Sequence, residues 1–274
     1  MHLAKRLCRR LWKSLEKPLD RKIFFLHIPK CGGTSIARAI SACYGHFSGA
    51  DQFYLDAAAA VKAKEVCNCS YLRYSEEILV YFMARRNIKY ITGHFLFSKT
   101  AHHEFGAEWD FITILRHPHS RWFSQYFFNR YKTSDHFKTD LDLESYVDSK
   151  EGVSSGKTLI SALGGYDYIG SDPERSVAAA IMNLDKFALV GVLEYIDTFV
   201  GQFEKRYGTK LKIGSLNKNP VQRAKQDQQI TDEIRNRVEE ICRYDMEVYN
   251  YALSRQTRSE ATQNSATGGR LVTA

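Results

Sequence analysis

Four short apolar runs alternate with longer segments of helical periodicity over most of this chain. The runs are KIFFLHI (22–28), KYITGHF (89–95), WDFITILRH (109–117) and FALVGVLEY (187–195). Each is rich in aromatic and β-branched residues, which is typical of a buried strand. The third run is apolar on both faces, as a central strand of a parallel sheet is. The alternation predicts an α/β fold in which helices flank a central, mainly parallel sheet in three layers.

The segments around these runs carry helical patterns with recognisable ends. The helix after the first run is expected to end at Gly45, and the helix after the fourth run at Gly208. An aromatic helix, RWFSQYFFNRYK, follows the third run. Residues 50–88 have a mostly helical pattern, whereas the polar region 132–158 is expected to hold loops.

The C-terminal part of the chain predicts one long helix followed by a tail. The helix is expected over 231–253, with Thr231 or Asp232 as its cap. From Gln256 onward the residues are small and polar, so segment 256–274 is expected to be disordered.

The N-terminal segment 1–20 is predicted to form a short basic amphipathic helix that ends at Pro18. Its apolar positions recur every four residues and lie between lysines and arginines: Leu3, Leu7, Leu11 and Leu15. The leucines can dock on the body of the protein, or the helix can make peripheral contact with an anionic membrane surface. The remaining residues, 21–255, form the predicted main domain.

Composition and charge narrow the classes of partner. Hydrophobic residues make up 44% of the 274 residues, which excludes a wholly disordered or collagen-like chain. The 39 Lys and Arg exceed the 31 Asp and Glu, and the net charge of +8 favours an anionic partner. No apolar run approaches the roughly 20 residues that span a bilayer. The six cysteines fit no zinc pattern and are expected to be free thiols, so a cytoplasmic location is favoured.

The strongest local signal is the string HIPKCGGTS, which follows the first apolar run. A strand that leads into a glycine turn and then a helix exposes backbone N–H groups to an anion. The side chains and glycines expected to hold a phosphate are Lys30, Cys31, Gly32, Gly33, Thr34 and Ser35. This is not a Walker A loop, because the lysine precedes the glycines and no GK[ST] follows.

The second signal is RHPHSRWFSQY, which begins at the end of the third run. Arg116 is placed at the carboxyl end of a buried strand, where open α/β sheets bind their ligands. Ser124 follows about one turn into the next helix. A guanidinium fork with a hydroxyl suits a phosphate monoester, and Arg121 is a weaker addition.

Together the two strings resemble the cofactor motifs of sulfotransferases that use 3′-phosphoadenylyl sulfate (PAPS). They are most similar to the Golgi-type carbohydrate sulfotransferases, especially the uronyl and heparan 2-O branch, and KYITGHF also resembles that branch. The resemblance covers roughly 22–252. Two positions depart from it: Cys31 stands where many relatives have Thr, and Thr92 stands where the 2-O branch has a further His. The second departure leaves the acceptor open.

The resemblance implies a P-loop-like three-layer fold and metal-independent transfer of a sulfuryl group to a carbohydrate or polysaccharide hydroxyl. Lys30 then stabilises charge on the leaving oxygen. His94 is the candidate general base, because it follows a strand end and an imidazole suits base work at neutral pH. His103 and Glu104 are reserve candidates, and His27 is expected to cap its strand.

The resemblance also implies a late basic loop over the 3′-phosphate, for which Lys218 and Asn219 are the matching residues. Four further cations are candidates for an acidic-glycan channel, with a solvated surface as the alternative: Arg85, Arg86, Arg130 and Lys132. No carboxylate cluster is placed to bind a metal.

Two other functions remain open as alternatives. One is a P-loop-type nucleotide kinase, and the other is a non-enzymatic basic protein that binds anions. Nucleic acid is not the expected partner. Binding to it would explain the positive net charge, but it would not explain two phosphate motifs at the ends of strands. Relatives of this branch are usually in the Golgi lumen behind an anchor, so a lumenal or membrane-associated location is the alternative to the cytoplasm.

Overall fold

The computed structural model describes residues 18–45, 52–68, 70–168, 170, 172–214, 226 and 228–268. Within them, five parallel strands form one sheet in the order β2-β3-β1-β4-β5. The strands are β1 (Lys22–Leu26), β2 (Gln52–Tyr54), β3 (Tyr90–Gly93), β4 (Trp109–Leu115) and β5 (Leu189–Val192). Helices flank the sheet, so the predicted three-layer α/β fold is confirmed.

Twelve α-helices are described. The first six are α1 (Gly33–Cys43), α2 (Ala57–Cys67), α3 (Tyr71–Ala84), α4 (Lys99–Phe105), α5 (Pro118–Tyr131) and α6 (Leu143–Val147). The others are α7 (Lys150–Ser155), α8 (Thr158–Gly164), α9 (Pro173–Leu184), α10 (Ile196–Tyr207), α11 (Asp232–Ile241) and α12 (Arg243–Gly268). Single 3-10 turns occur at Tyr166–Tyr168 and Leu193–Tyr195.

Strand β1 lies at the centre of the sheet and sets the level at which its neighbours end. Leu26 is in register with Gly93 of β3 on one side and with Thr113 of β4 on the other. The hydroxyl of Thr113 donates to the carbonyl of Leu26 at 2.9 Å, and that of Thr92 donates to Phe25 at 3.0 Å. The carboxyl ends of β1 and β3 therefore coincide, and β4 extends two residues further.

Aromatic side chains fill the space between the sheet and its helices. The rings of Phe24 and Phe111 meet edge to face with centroids 5.1 Å apart, and Phe95 contacts Phe24 in the same way at 5.7 Å. Such contacts add to the free energy gained from burial. A second buried cluster joins α5 to α6 and α11 through Trp122 and Tyr146.

The region 132–158 is more helical than the sequence predicted. Helix α6 begins where the carboxylate of Asp142 accepts from the amide of Ser145 at 2.8 Å. Helix α7 begins where Ser149 accepts from the amide of Gly152 at 3.0 Å. These helices have five and six residues, too few for a periodic apolar pattern, and they depend on caps and on burial of Tyr146.

The C-terminal segment also differs from expectation. Thr231 caps α11 as predicted, accepting from the amide of Ile234 at 3.2 Å, but the expected single helix is interrupted at Cys242. Helix α12 then continues to Gly268, into the segment expected to be disordered. Arg255 anchors it by donating to the carbonyls of Leu184 and Phe187. No helix of the described residues is long and apolar enough to cross a membrane.

Residues 1–17 of the predicted N-terminal helix lie outside the described residues. So does the end of the tail from residue 269 onward.

A buried carboxylate clamps the amino-terminal ends of the two central strands. Asp110 in β4 accepts from Arg21, just before β1, at 3.2 Å through both oxygens. Arg206 near the end of α10 donates to the same two oxygens at 3.4 and 3.2 Å. Burial opposes ionisation, but the two guanidinium groups outweigh it and lower the pKa of Asp110.

Asp110→Asn is expected to lower the free energy of unfolding by about 1–2 kcal/mol, because two cations then face each other without a carboxylate. The estimate is kept low because the two arginines are about half exposed and solvent screens them. The ionised Asp110 contributes stability above its ordinary pKa, and this is lost as pH falls through the lowered folded pKa. The variant should therefore also lose part of the acid dependence of stability.

Urea unfolding at several pH values measures both effects. Glu108→Gln is the matched control, because the Lys22–Glu108 pair joins the same two strands but its carboxylate is exposed. Equal losses in the two variants would contradict the importance of the clamp.

Candidate functional site

The loop after β1 is wound tightly at two positions. Lys30 has a φ of 65° and Gly32 a φ of 75°, so both adopt the left-handed conformation. Lysine rarely takes this conformation, and such strain is concentrated at binding sites. A side chain at Gly32 would also lie 2.8 Å from Leu193, at the end of β5. The loop leads directly into the N-terminus of α1, which favours an anion.

The imidazoles of His27 and His94 lie beside this loop, and the space for the His27 ring exists because residue 33 is a glycine. A Cβ atom on Gly33 would lie 2.0 Å from the ring of His27, so the helix start touches the imidazole directly. The ring of His27 is in turn 4.5 Å from the ring of His94, which follows β3. The Nδ1 atom of His94 is 2.8 Å from the carbonyl oxygen of His27. The end of β1, the start of α1 and the end of β3 therefore meet here.

Both imidazoles are held in the neutral form. Burial lowers the pKa of His27 to about 3, with a smaller contribution from His94, and burial also lowers the pKa of His94. Because a carbonyl oxygen can only accept, Nδ1 of His94 carries the proton and donates it. The Nε2 atom of His94 then has the free lone pair, which is what a general base needs.

Arg116 connects the two phosphate-type motifs. It follows β4, and its Nη1 atom donates to the carbonyl of Lys30 at 3.2 Å. The next residue, His117, donates its amide to the carboxylate of Glu194 at 3.0 Å, and Tyr249 donates to the same carboxylate at 3.4 Å. Glu194 follows β5 and was not selected from the sequence. Its position at the end of the fourth apolar run is the sequence feature that could have identified it as a candidate site residue.

Positive charge is concentrated around Lys30. Burial and, to a smaller extent, the charges of Arg116, Lys132 and Arg121 together lower its pKa to about 8. Its ammonium group lies 3.6 Å from the centroid of the Phe128 ring. The described residues offer no carboxylate that forms an ion pair with Lys30. An anion would therefore relieve repulsion between these cations.

Arg121 and Cys31 are buried, and their contacts lie within the protein. Arg121 is 1% exposed and donates to the carbonyl and, at 3.0 Å, to the hydroxyl of Ser155. Cys31 is fully buried, and burial raises the pKa of its thiol to about 12. The thiol is protonated at neutral pH and is not a nucleophile.

The other predicted residues fall into three groups. Thr34 and Ser35 lie in the first turn of α1, and Ser124 is half-buried on α5, one turn before Phe128. The reserve bases His103 and Glu104 are exposed on α4 and pair with each other at 2.8 Å, away from the two buried imidazoles. The candidates of the late loop, Lys218 and Asn219, lie outside the described residues.

The four cations considered for a glycan channel do not form one group. Arg85 and Arg86 are exposed at the end of α3, and Arg130 pairs with Asp140 at 3.2 Å. Lys132 alone among them acts on Lys30.

A cavity of about 450 Å³ lies beside His27, between α1 and the β2–β3 edge. Its polar lining comes from His27, Thr34, Arg38, Ser41, Gln52 and Thr92. A larger cavity of about 780 Å³ lies next to the Asp110 clamp, at the opposite ends of the strands. The smaller cavity is the one that adjoins the phosphate-type loop, through Thr34.

Comparison with protein-family models and with curated proteins found no match to this chain. The resemblance to sulfotransferases therefore rests on the sequence motifs alone. In the described residues, no three His, Cys, Asp or Glu side chains are grouped so that they can hold a metal ion. Independence from metal stays a prediction.

Gly33→Ala is expected to move the His27 ring, because the new methyl group cannot share its space. Overpacking of this kind typically costs about 1–3 kcal/mol of stability. It should also displace His94, whose Nδ1 atom bonds to the backbone of His27.

Gly201→Ala in α10 is the matched control, since its Cβ would meet nothing within 4 Å and the residue is helical. Thermal melting and the histidine ring signals in an NMR spectrum measure the two effects. Unchanged histidine signals in Gly33→Ala would refute the coupling.

Proposed function

We propose that this protein transfers a sulfuryl group from PAPS to a hydroxyl of a carbohydrate acceptor. The observation that carries the proposal is the bond between Arg116 and the Lys30 carbonyl. It brings together two anion motifs that are 86 residues apart in the chain. Two cationic groups fixed at one sheet edge suit a ligand with phosphates at two positions.

The residues present fit such a donor. Lys30 and the loop through Ser35 would hold the 5′ end, where the sulfuryl group is attached, and Arg116 with Ser124 would hold the 3′-phosphate. Burial and the repulsion from Arg116, Lys132 and Arg121 both lower the pKa of Lys30, and a bound anion would relieve the repulsion, which supports this assignment. Lys218 and Asn219 remain candidates for the 3′ end through the resemblance alone.

The chain's residues would divide the chemistry between them. When bound, PAPS would supply a sulfuryl group for in-line transfer from its 5′-phosphate oxygen to the acceptor hydroxyl oxygen. Nε2 of His94 accepts the hydroxyl proton as the new S–O bond forms. Lys30 stabilises the negative charge that develops on the phosphate oxygen as the old S–O bond breaks.

The 450 Å³ cavity beside His27 is the proposed location of the acceptor. It is lined by Thr34 of the phosphate-type loop and by His27, whose ring centroid is 4.5 Å from that of His94, so it adjoins both parts of the candidate site. Polar side chains around a partly apolar pocket suit a sugar, which presents hydroxyls on an apolar ring.

Thermal melting with adenosine 3′,5′-bisphosphate in the presence of a chelator tests the cofactor assignment. A stabilisation that does not need Mg²⁺ supports the proposal, and sulfate transfer to a panel of polysaccharides then identifies the acceptor. Stabilisation by ATP with Mg²⁺ alone would favour a kinase. Equal stabilisation by any polyanion would favour a non-enzymatic anion-binding protein.

Arg116→Ala is expected to weaken binding of adenosine 3′,5′-bisphosphate by about 1.5–3 kcal/mol, the value of a hydrogen bond to a charged group. The effect on turnover should be smaller, because the residue contacts a phosphate remote from the transferred group. Arg130→Ala is the control, since that arginine already pairs with Asp140. Calorimetric titration measures the affinities, and equal affinity in Arg116→Ala and the parent protein would reject the 3′-phosphate assignment.

His94→Ala is expected to cut turnover by about 10²–10⁴-fold while cofactor affinity stays nearly unchanged. In the parent protein, activity should fall on the acid side only as pH drops through the lowered pKa of His94, below 6.5. On the alkaline side, kcat/KM should fall as pH rises through about 8, where the free protein's Lys30 loses its proton. The acid limb should disappear in His94→Ala, and its persistence would assign the base elsewhere.

A further inference from the structure

We propose that Phe128 is a positioning residue for Lys30, and that its ring holds the ammonium group in place for an incoming anion. Only the identity of that anion rests on the proposed function. The contact between ring and lysine belongs to the protein itself.

The geometry is that of a strong cation–π contact. The Nζ atom of Lys30 lies 3.6 Å from the ring centroid of Phe128, and that of Lys132 lies 5.6 Å from the same centroid. Both distances are within the roughly 6 Å over which an aromatic face attracts an ammonium group. One ring thus serves two lysines.

This ring lies outside both buried clusters of the described residues. Neighbouring aromatic residues of α5, Trp122, Tyr126 and Phe127, are buried in the second core cluster. Phe128 faces the other way and is 36% exposed. Phe128 belongs to neither buried cluster, and the two lysines are neighbours for which its ring face has a specific use.

Lys30 needs such a partner because of its surroundings. It is half-buried, its backbone is in the left-handed conformation, and Arg116, Arg121 and Lys132 repel its charge. A carboxylate would stabilise the ammonium group but would also neutralise it and compete with an anionic ligand. The face of a phenyl ring attracts the cation through its quadrupole and carries no net charge. Phe128 therefore stabilises Lys30 and leaves its charge available.

The spacing along α5 supports this arrangement. Arg121, Ser124 and Phe128 follow one another at intervals of three and four residues along one face of α5, and Lys132 directly follows the end of that helix. Three of the four act on Lys30, and the fourth, Ser124, is a candidate ligand of the 3′-phosphate. The same helix face thus approaches the loop after β1 along its length.

The first experiment reads the protonation of Lys30 without any activity. Limited acetylation with acetic anhydride at a series of pH values, followed by peptide mass spectrometry, gives the midpoint at which Lys30 becomes reactive. Phe128→Leu and Phe128→Met keep apolar volume but remove the ring face. Loss of the contact destabilises the charged form, so the midpoint should fall by roughly 0.5–1.5 pH units.

Two controls separate this effect from general damage. Phe128→Tyr keeps the ring and should keep the midpoint of the parent protein. Tyr81→Leu removes another exposed aromatic ring, one that contacts Phe82, and should also leave the midpoint unchanged. An unchanged midpoint in both the Leu and the Met variants would overturn the proposal, as would an equal fall in Phe128→Tyr.

The second experiment links the ring to anion binding through a double-mutant cycle. Phe128→Leu is expected to weaken binding of adenosine 3′,5′-bisphosphate by roughly 3–10-fold, which corresponds to a contact of this strength. In a Lys30→Met background the same change should have no further effect. A full effect in that background would show that the ring acts on the ligand without the lysine, and would overturn the proposal.

The two experiments also distinguish the proposals from each other. A shifted acetylation midpoint with no binding of adenosine 3′,5′-bisphosphate by the parent protein would support the role of Phe128 and contradict the proposed function. Binding by the parent protein with an unshifted midpoint would do the reverse.

Discussion

The register of the central strand is the constraint on which the candidate site depends. Leu26 is level with Gly93 and Thr113, so the chain leaves β1 and β3 at the same height and β4 passes between them and β5. A shift by one residue would turn each side chain to the other face of the sheet. The apolar residues on both faces of β1 and the hydroxyls that bond across its end oppose such a shift.

Concentrating cations at this edge costs free energy, and the fold opposes that cost in three ways. The carbonyl of Lys30 accepts from Arg116, and the ring of Phe128 lies under the Lys30 ammonium group. Behind them, the buried carboxylate of Asp245 faces Arg121 and accepts from the first amides of α8. Burial raises the pKa of Asp245 to about 7, while Arg121 and these amides favour its ionised form. None of these contacts offers Lys30 a carboxylate of its own.

The strands and the two motifs were predictable because they depend on local pattern. Four apolar runs gave four of the five strands, and the motifs were placed at strand ends by order alone. Strand β2 was missed because three residues in a helical-looking segment carry no alternation of their own. The break at Cys242 was missed for a similar reason, since the residues on both sides of it continue a helical pattern.

The parts of the site that were not predicted are contacts between distant segments. Phe128 lies in an aromatic helix whose composition does not show which ring is turned away from the core. Glu194 depends on the alignment of β5 with β4, which brings it to the amide of His117. The dependence of His27 on Gly33 follows from backbone geometry at the helix start. Such facts need the tertiary structure, because residue types and spacing leave them open.

Burial lowers the pKa of both titrating groups of the candidate site, His94 and Lys30. Desolvation disfavours charge, so it keeps the imidazole of His94 neutral, with Nε2 able to accept a proton. Desolvation, together with three neighbouring cations, also lowers the pKa of Lys30 to about 8. An anion bound between these cations would favour the charged form of Lys30 and so oppose the lowering of its pKa. Burial keeps His94 neutral and the anion favours a charged Lys30, so a neutral base and a charged lysine can exist together at neutral pH.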